Sequence, residues 1–189
     1  MVSRTFAQSV SFVIPMSRKL EGRMLLAGLA ALGAVPGAVT SVIADPQIVG
    51  WVERIRLGEE GVILSAKLDT GADTSSLHAS KVRWFDRDGS QWVAFEVKGE
   101  DGRTVTFERK VTRIAEIKRR ARGEPLRRPT VLMGVCLGRV YRVTEVNLAD
   151  RTRFSQPFLV GRSFLRHHFA VDSGRTNTIE PDCRQPPPQ

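Results

Sequence analysis

Asp69-Thr70-Gly71 directly follows the apolar run Val62–Leu68. A carboxylate at the end of a strand is held rigidly while its tip reaches into a cleft. Thr70 offers a small hydroxyl that can bond loop backbone. Gly71 lets a second backbone or a substrate come close. Carboxyls placed this way move protons: an ionised one takes a proton from water, and a protonated one polarises a carbonyl. The same triplet is also ordinary turn chemistry, and composition alone produces one in on the order of one in ten chains of this size. A second triplet, Asp172-Ser173-Gly174, is read as a turn after a strand at Phe169–Val171.

The elements that must position Asp69 read as strands joined by polar turns. Val62, Leu64, Ala66 and Leu68 alternate with Ile63, Ser65 and Lys67, which is the period of a strand. Gly58-Glu59-Glu60-Gly61 reverses the chain from Ile48–Leu57 into a hairpin. Val93, Phe95 and Val97 alternate, as do Val105 and Phe107, with Asp-Gly turns at 86–89 and 99–102. Val131, Met133, Val135 and Leu137 form a further set. Tyr141 and Val143 continue it, and the apolar phase then slips to Val146 and Leu148, predicting a bulge near Thr144. One short helix is predicted over Arg162–His168. Lys118–Pro129, with five arginines, reads as an exposed loop, and Pro181–Gln189 as a disordered tail. Many short strands with regular turns define a small all-β, barrel-like domain.

The first 44 residues differ from the rest. Arg18, Lys19 and Arg23 precede the apolar run Met24–Val35, and Val42-Ile43-Ala44 has the small-residue pattern of a cleavage site. This is the order of a secretory signal; the run is short for a membrane span, which needs about 20 residues. The competing reading is an uncleaved N-terminal anchor, with membrane association only in that case. Domains are accordingly 1–44 leader, 45–180 β domain and 181–189 tail, with translation starting at Met1 or Met16. The 189-residue chain carries +9; the leader holds four basic residues and one acidic, so removing it lowers the charge by three to +6. Such a balance favours acidic partners. Cys136 and Cys183 pair in an oxidising compartment or stay as two free thiols; their spacing does not decide.

Leu68-Asp69-Thr70-Gly71-Ala72-Asp73-Thr74-Ser75 resembles the active-site signature of retropepsin-like aspartic peptidases. Phe158-Leu159-Val160-Gly161-Arg162-Ser163-Phe164-Leu165 resembles their second signature, apolar residues and Gly-Arg ahead of a short helix. Ser75–Ala79, Arg128-Pro129-Thr130, Glu145–Leu148 and Asp150-Arg151 are similar to the bacterial branch labelled "putative ATP-dependent zinc protease". Together the resemblance covers about residues 47–175. It implies a small retropepsin-like acid-protease barrel with one short C-terminal helix. The site would have Asp69, Thr70 and Gly71 at its catalytic centre, supported by Ala72, Asp73, Gly161 and Arg162. Asp73 and Arg162 would form a bracing ion pair.

Such chemistry needs two carboxyls sharing one proton. One Asp-Thr-Gly per chain then requires a homodimer with the two Asp69 side chains on its two-fold axis. Asp172 is not read as the partner, since only 15 residues follow Gly174 and a second lobe needs more. Two features of the branch label find no residues to carry them. The chain has neither G-x-x-x-x-G-K-[ST] nor H-E-x-x-H, so neither ATP nor zinc is expected and no cofactor is assigned. His78 is a candidate substrate contact. A flap is expected within Leu126–Val143. No aromatic platform interleaves with the basic run 119–128, so the anticipated partner is an acidic peptide rather than nucleic acid. A non-catalytic β module that binds peptides or envelope components is the competing function.

Overall fold

The computed structural model describes residues 45–117 and 126–184. The leader reading at 1–44 and the tip of the arginine-rich segment lie outside them. Among the described residues are ten strands and one short helix. The strands are β1 (Gln47–Leu57), β2 (Val62–Leu68), β3 (Ser75–His78), β4 (Ser80–Arg87), β5 (Ser90–Lys98), β6 (Thr104–Ile117), β7 (Leu126–Leu137), β8 (Val140–Ala149), β9 (Phe158–Val160) and β10 (Phe169–Thr176). The helix, α1, spans Arg162–Leu165. They hydrogen-bond in the order β10-β1-β2-β9-β3-β8-β7-β6-β5-β4, and β1 also pairs with β7 through Arg56↔Cys136 and Leu57↔Val135. That extra pairing closes the sheet partly into a ring, as expected of a small all-β barrel.

Alternation in the sequence becomes burial in the fold. Val62, Leu64, Ala66 and Leu68 all face the core from β2, where Leu77, Val131, Met133, Val146 and Phe158 meet them. Phe95 and Phe107, directly opposite on β5 and β6, stack with ring centroids 5.5 Å apart. Fully burying each such side chain contributes about 1.5–3 kcal/mol. Glu53 of β1 is the exception, a carboxylate at 0% exposure inside this apolar setting. It accepts hydrogen bonds from the Gly50, Thr178 and Ile179 N–H groups and from the Thr178 hydroxyl. It thereby fastens the C-terminal segment to β1. A disulfide between Cys136 and Cys183 fastens the same segment to β7.

Five local expectations are corrected. The register from Thr130↔Asn147 to Leu137↔Val140 runs without a break, so there is no bulge at Thr144. Val143 is 59% exposed on the outer face while Thr144 fills an inward position opposite Met133, and the polar–apolar exchange mimicked a slip in phase. The helix stops at Leu165 rather than His168, because His167 turns to a positive φ of 69°. Leu126–Pro129 are not loop: they open β7 and pair with Ile114–Ile117 of β6. Asp172-Ser173-Gly174 lies inside β10 rather than after it, at a shift of register against β1 between Gly50 and Val52. The chain end is held as far as Cys183, with the Asp182 N–H donating to Gly138 O (2.7 Å), instead of loosening at Pro181.

Candidate active site

β2 delivers Asp69, and β9 fixes both ends of the loop that follows. Leu68 pairs with Val160 on one side of β9, and Ser76 with Leu159 on the other, so residues 69–74 bridge across that strand. The Asp69 N–H donates to Val160 O (2.9 Å), which locks the backbone under the carboxyl. Within the loop, Asp69 Oδ1 accepts the Gly71 N–H at 2.9 Å. Lys67 Nζ stands 3.6 Å from Oδ2 of a side chain that is 27% exposed. The carboxyl is thus held through Oδ1 by the loop backbone and paired at Oδ2 with the Lys67 ammonium, while part of it stays exposed. Thr70 and Gly71 form the exposed tip. Among the described residues Thr70 makes no side-chain hydrogen bond, so the loop is not anchored by its hydroxyl.

The anchoring comes from α1. Arg162 Nη1 donates to Thr70 O (3.1 Å) and Gly71 O (2.9 Å), and its Nη2 lies 3.3 Å from Asp73 Oδ1. Arg162 and Ser163 also donate their backbone N–H groups to Ala72 O (2.9 Å) and Asp73 O (3.0 Å). Gly161 makes this approach possible: a Cβ there would lie 2.7–2.9 Å from backbone atoms of Asp73 and Thr74. Its own N–H donates to the buried Ser75 Oγ (3.1 Å). The Asp73–Arg162 ion pair itself is 72% and 46% exposed, a setting in which such pairs contribute about 0–1 kcal/mol. Arg162 therefore acts on the loop mostly through the two carbonyls.

Asp69, Thr70, Gly71, Ala72, Asp73, Gly161 and Arg162 thus converge. His78 does not join them; at the far end of β3 its Nδ1 accepts the Arg151 N–H at 3.0 Å. Asp172 Oδ1 accepts the Gly174 N–H (2.8 Å), the same turn that Asp69 makes, but with none of the α1 contacts. No group of three His, Cys, Asp or Glu side chains is placed to hold a metal ion among the described residues. Beside the loop lies a cavity of about 630 Å³ bordered by Thr74, Ser76, Ala115, Arg128, Asn147 and Arg151. Arg113–Glu116 of β6 and Arg128 of β7 border it, so of the expected flap region only Arg128 lines the cleft; Val131–Leu137 and Val140–Val143 belong to the β7–β8 ladder of the sheet. Arg151 is 7% exposed, and burial pulls its guanidinium below the ordinary arginine value, with Arg128 adding to the effect and Asp69 opposing it. Burial does the same to Arg128. Sequence reasoning took Arg128 and Arg151 as motif residues and Arg128 also as part of an exposed loop; Thr130 and Asn147 fall on the outward phase of their strands, so the alternation carried no signal of their burial.

A partly closed β sheet presenting Asp-Thr-Gly at a strand end, braced by Gly-Arg at the start of a short helix, is the arrangement of the retropepsin-like fold. Residues 48–182 match the family model described as RimB-like, "Retropepsin-like aspartic endopeptidase RimB", and the chain belongs to that family. It is 30% identical over 129 residues to a "Probable alpha-L-glutamate ligase" of Desulfotalea psychrophila, covering 67% of this chain and 28% of that protein. A protein of the same description from Shewanella pealeana is 32% identical over 112 residues, covering 58% of this chain and 24% of that one. The chain therefore spans under a third of the length of these relatives. The crystal structure of Lpg0085, a protein of unknown function from Legionella pneumophila, superposes with a TM-score of 0.60 at 36% identity, covering 69% of this chain and 96% of that one.

Proposed function

We propose that two copies of this chain pair about a two-fold axis and hydrolyse a peptide or amide bond with a water held between their Asp69 carboxyls. One ionised carboxylate takes a proton from the water, whose oxygen adds to the carbonyl carbon. The protonated carboxyl of the other copy polarises the carbonyl oxygen. The C–N bond then breaks and the amine leaves with a proton. The observation that carries this reading is the Asp69 loop itself: a partly exposed carboxyl oriented by the Gly71 N–H, on a braced loop whose tip is exposed. An exposed Thr70-Gly71 tip next to the acid suits contact with a second copy.

Acidic peptide chains are the proposed substrates. The basic charge, +9 for the whole chain and +6 without the leader, supports this, as does similarity to part of proteins named for glutamate ligation. Export through the leader at 1–44 belongs to the same proposal, with a new N-terminus near Asp45. The test is Asp69→Asn, which keeps the carboxyl's shape and removes its ionisation. Turnover of peptides should vanish while circular dichroism and oligomeric state stay unchanged. Specific activity of the unaltered protein should fall on dilution as dimers dissociate. Retained turnover in the variant, or an active monomer, overturns the proposal and leaves a peptide-binding module.

A further inference from the structure

Three residues that border the cavity beside the Asp69 loop, Ser76, Arg128 and Asn147, are left unsatisfied by the fold, as is Thr130, buried next to Asn147 in the sheet. The strand ladders set Ser76 of β3 beside Asn147 of β8, and Asn147 beside Thr130 of β7. Arg128 lies two residues before Thr130 and so faces the same side of the sheet. Each of the four carries a buried polar atom without a hydrogen-bond partner: Ser76 Oγ, Asn147 Oδ1, Thr130 Oγ1 and Arg128 Nε. Only Arg56 Nε and Glu60 Oε2 share that condition among the described residues, so the deficit is concentrated in one row. Native folds pair nearly all such atoms, and a contiguous row of exceptions calls for a ligand or for ordered water.

The charges point the same way. Asp73 and Glu116 also border the cavity, but they are engaged by Arg162 and Arg127, and Arg113 on the same border is engaged by Glu145. Neither Arg128 nor Arg151 forms an ion pair with a carboxylate among the described residues; the two repel each other, and only the more distant Asp69 attracts Arg151. Arg151 is oriented by Gln156 O (3.4 Å) and by the Phe154 ring, 4.6 Å from its guanidinium carbon. Two partly desolvated guanidiniums side by side invite an anion. A hydroxyl from Ser76 adds a donor, and Asn147 Oδ1 adds an acceptor, since one amide N–H of Asn147 donates to Ser75 O (2.9 Å) and fixes the amide's orientation with Oδ1 left unpaired. An acceptor among donors disfavours phosphate, which has little to donate at neutral pH. It suits an amino-acid unit, with a carboxylate and an N–H together.

We propose that Arg128, Arg151, Ser76 and Asn147 form a side-chain subsite that holds one carboxylate of the bound chain next to the bond presented to Asp69. The guanidiniums grip the carboxylate, Ser76 donates to it, and Asn147 Oδ1 accepts an N–H of the same unit. The position next to Asp69 rests on the hydrolase reading above; the binding does not.

Binding is measured on the full chain carrying Asp69→Asn, by calorimetry, with two end-blocked alanine-rich hexapeptides that differ by one Glu-to-Gln exchange. A charge-assisted pocket predicts that the Glu peptide binds about 10- to 100-fold tighter. Arg128→Gln, with its fold verified by thermal melting, should bring that ratio close to one, and Arg128→Lys should restore part of it. Equal affinities for the two peptides, or a ratio that survives Arg128→Gln, would mean that the row holds water only and would overturn the subsite. The Glu-to-Gln ratio of the Asp69→Asn chain decides the matter even if Arg128→Gln fails to fold. Selective binding by a protein that cleaves neither peptide removes the hydrolase reading and keeps the subsite. Equal cleavage of both does the reverse.

Discussion

Arg162→Met tests how the Asp69 loop is held, and its outcome can be set against Asp73→Asn in the same assay. The methionine keeps the stem and loses two bonds to Thr70 O and Gly71 O, at 3.1 and 2.9 Å, along with the 3.3 Å contact to Asp73. Hydrogen bonds from a charged donor contribute about 1.5–3 kcal/mol each when shielded. Both partners here are exposed, so together the two carbonyl bonds are assigned about 2–3 kcal/mol. The ion pair adds about 0–1 kcal/mol. Arg162→Met should therefore lower stability by about 2–4 kcal/mol, and Asp73→Asn by less than about 1 kcal/mol. Urea unfolding followed by tryptophan fluorescence measures both, and amide exchange at Gly71 and Ala72 localises the loss to the loop. Equal effects from the two variants would refute the reasoning, since they would assign the brace to the ion pair rather than to the carbonyls.

Gly161→Ala should cost about 1–3 kcal/mol in the same urea assay, because its Cβ would press on the backbone of Asp73 and Thr74 and those atoms have nowhere to move. Glu53→Ala should cost about 3–5 kcal/mol by leaving a buried set of N–H donors without an acceptor, whereas Glu53→Gln, which keeps one carbonyl oxygen, should cost less; calorimetric melting separates them. Cys183→Ser opens a cross-link between residues 47 apart and should lower stability by about 4 kcal/mol, a loss that dithiothreitol should reproduce in the unaltered protein and should not deepen in the variant.

Much of the architecture was readable because strands facing one core advertise themselves by period. The β1–β2 hairpin, the inward set on β2 and the stacked pair Phe95–Phe107 follow from alternation and turn residues alone. The Asp69 loop and its Gly161-Arg162 brace were legible for a different reason. Their contacts depend on residue types that nothing else replaces, a fork-shaped cation and a residue without Cβ. What stayed hidden depends on cover supplied from far along the chain. Glu53 looks like any surface acid until residues 178–179 fold over it. Thr130 and Asn147 look like solvent-facing strand positions until β6 and Arg151 close above them. Val143 misled in the opposite sense, an apolar side chain left in water that shifted the apparent phase of β8.

The two Asp-hydroxyl-Gly triplets of this chain amount to a control experiment already performed by the molecule. Asp69 and Asp172 fold into matching miniature turns, each closed by its carboxyl on the glycine amide two residues on. Grafting such a tripeptide into another protein would therefore transfer a bend and nothing more. The transplantable unit is larger: the triplet, the strand it bridges, and the glycine–arginine pair that grips it from behind.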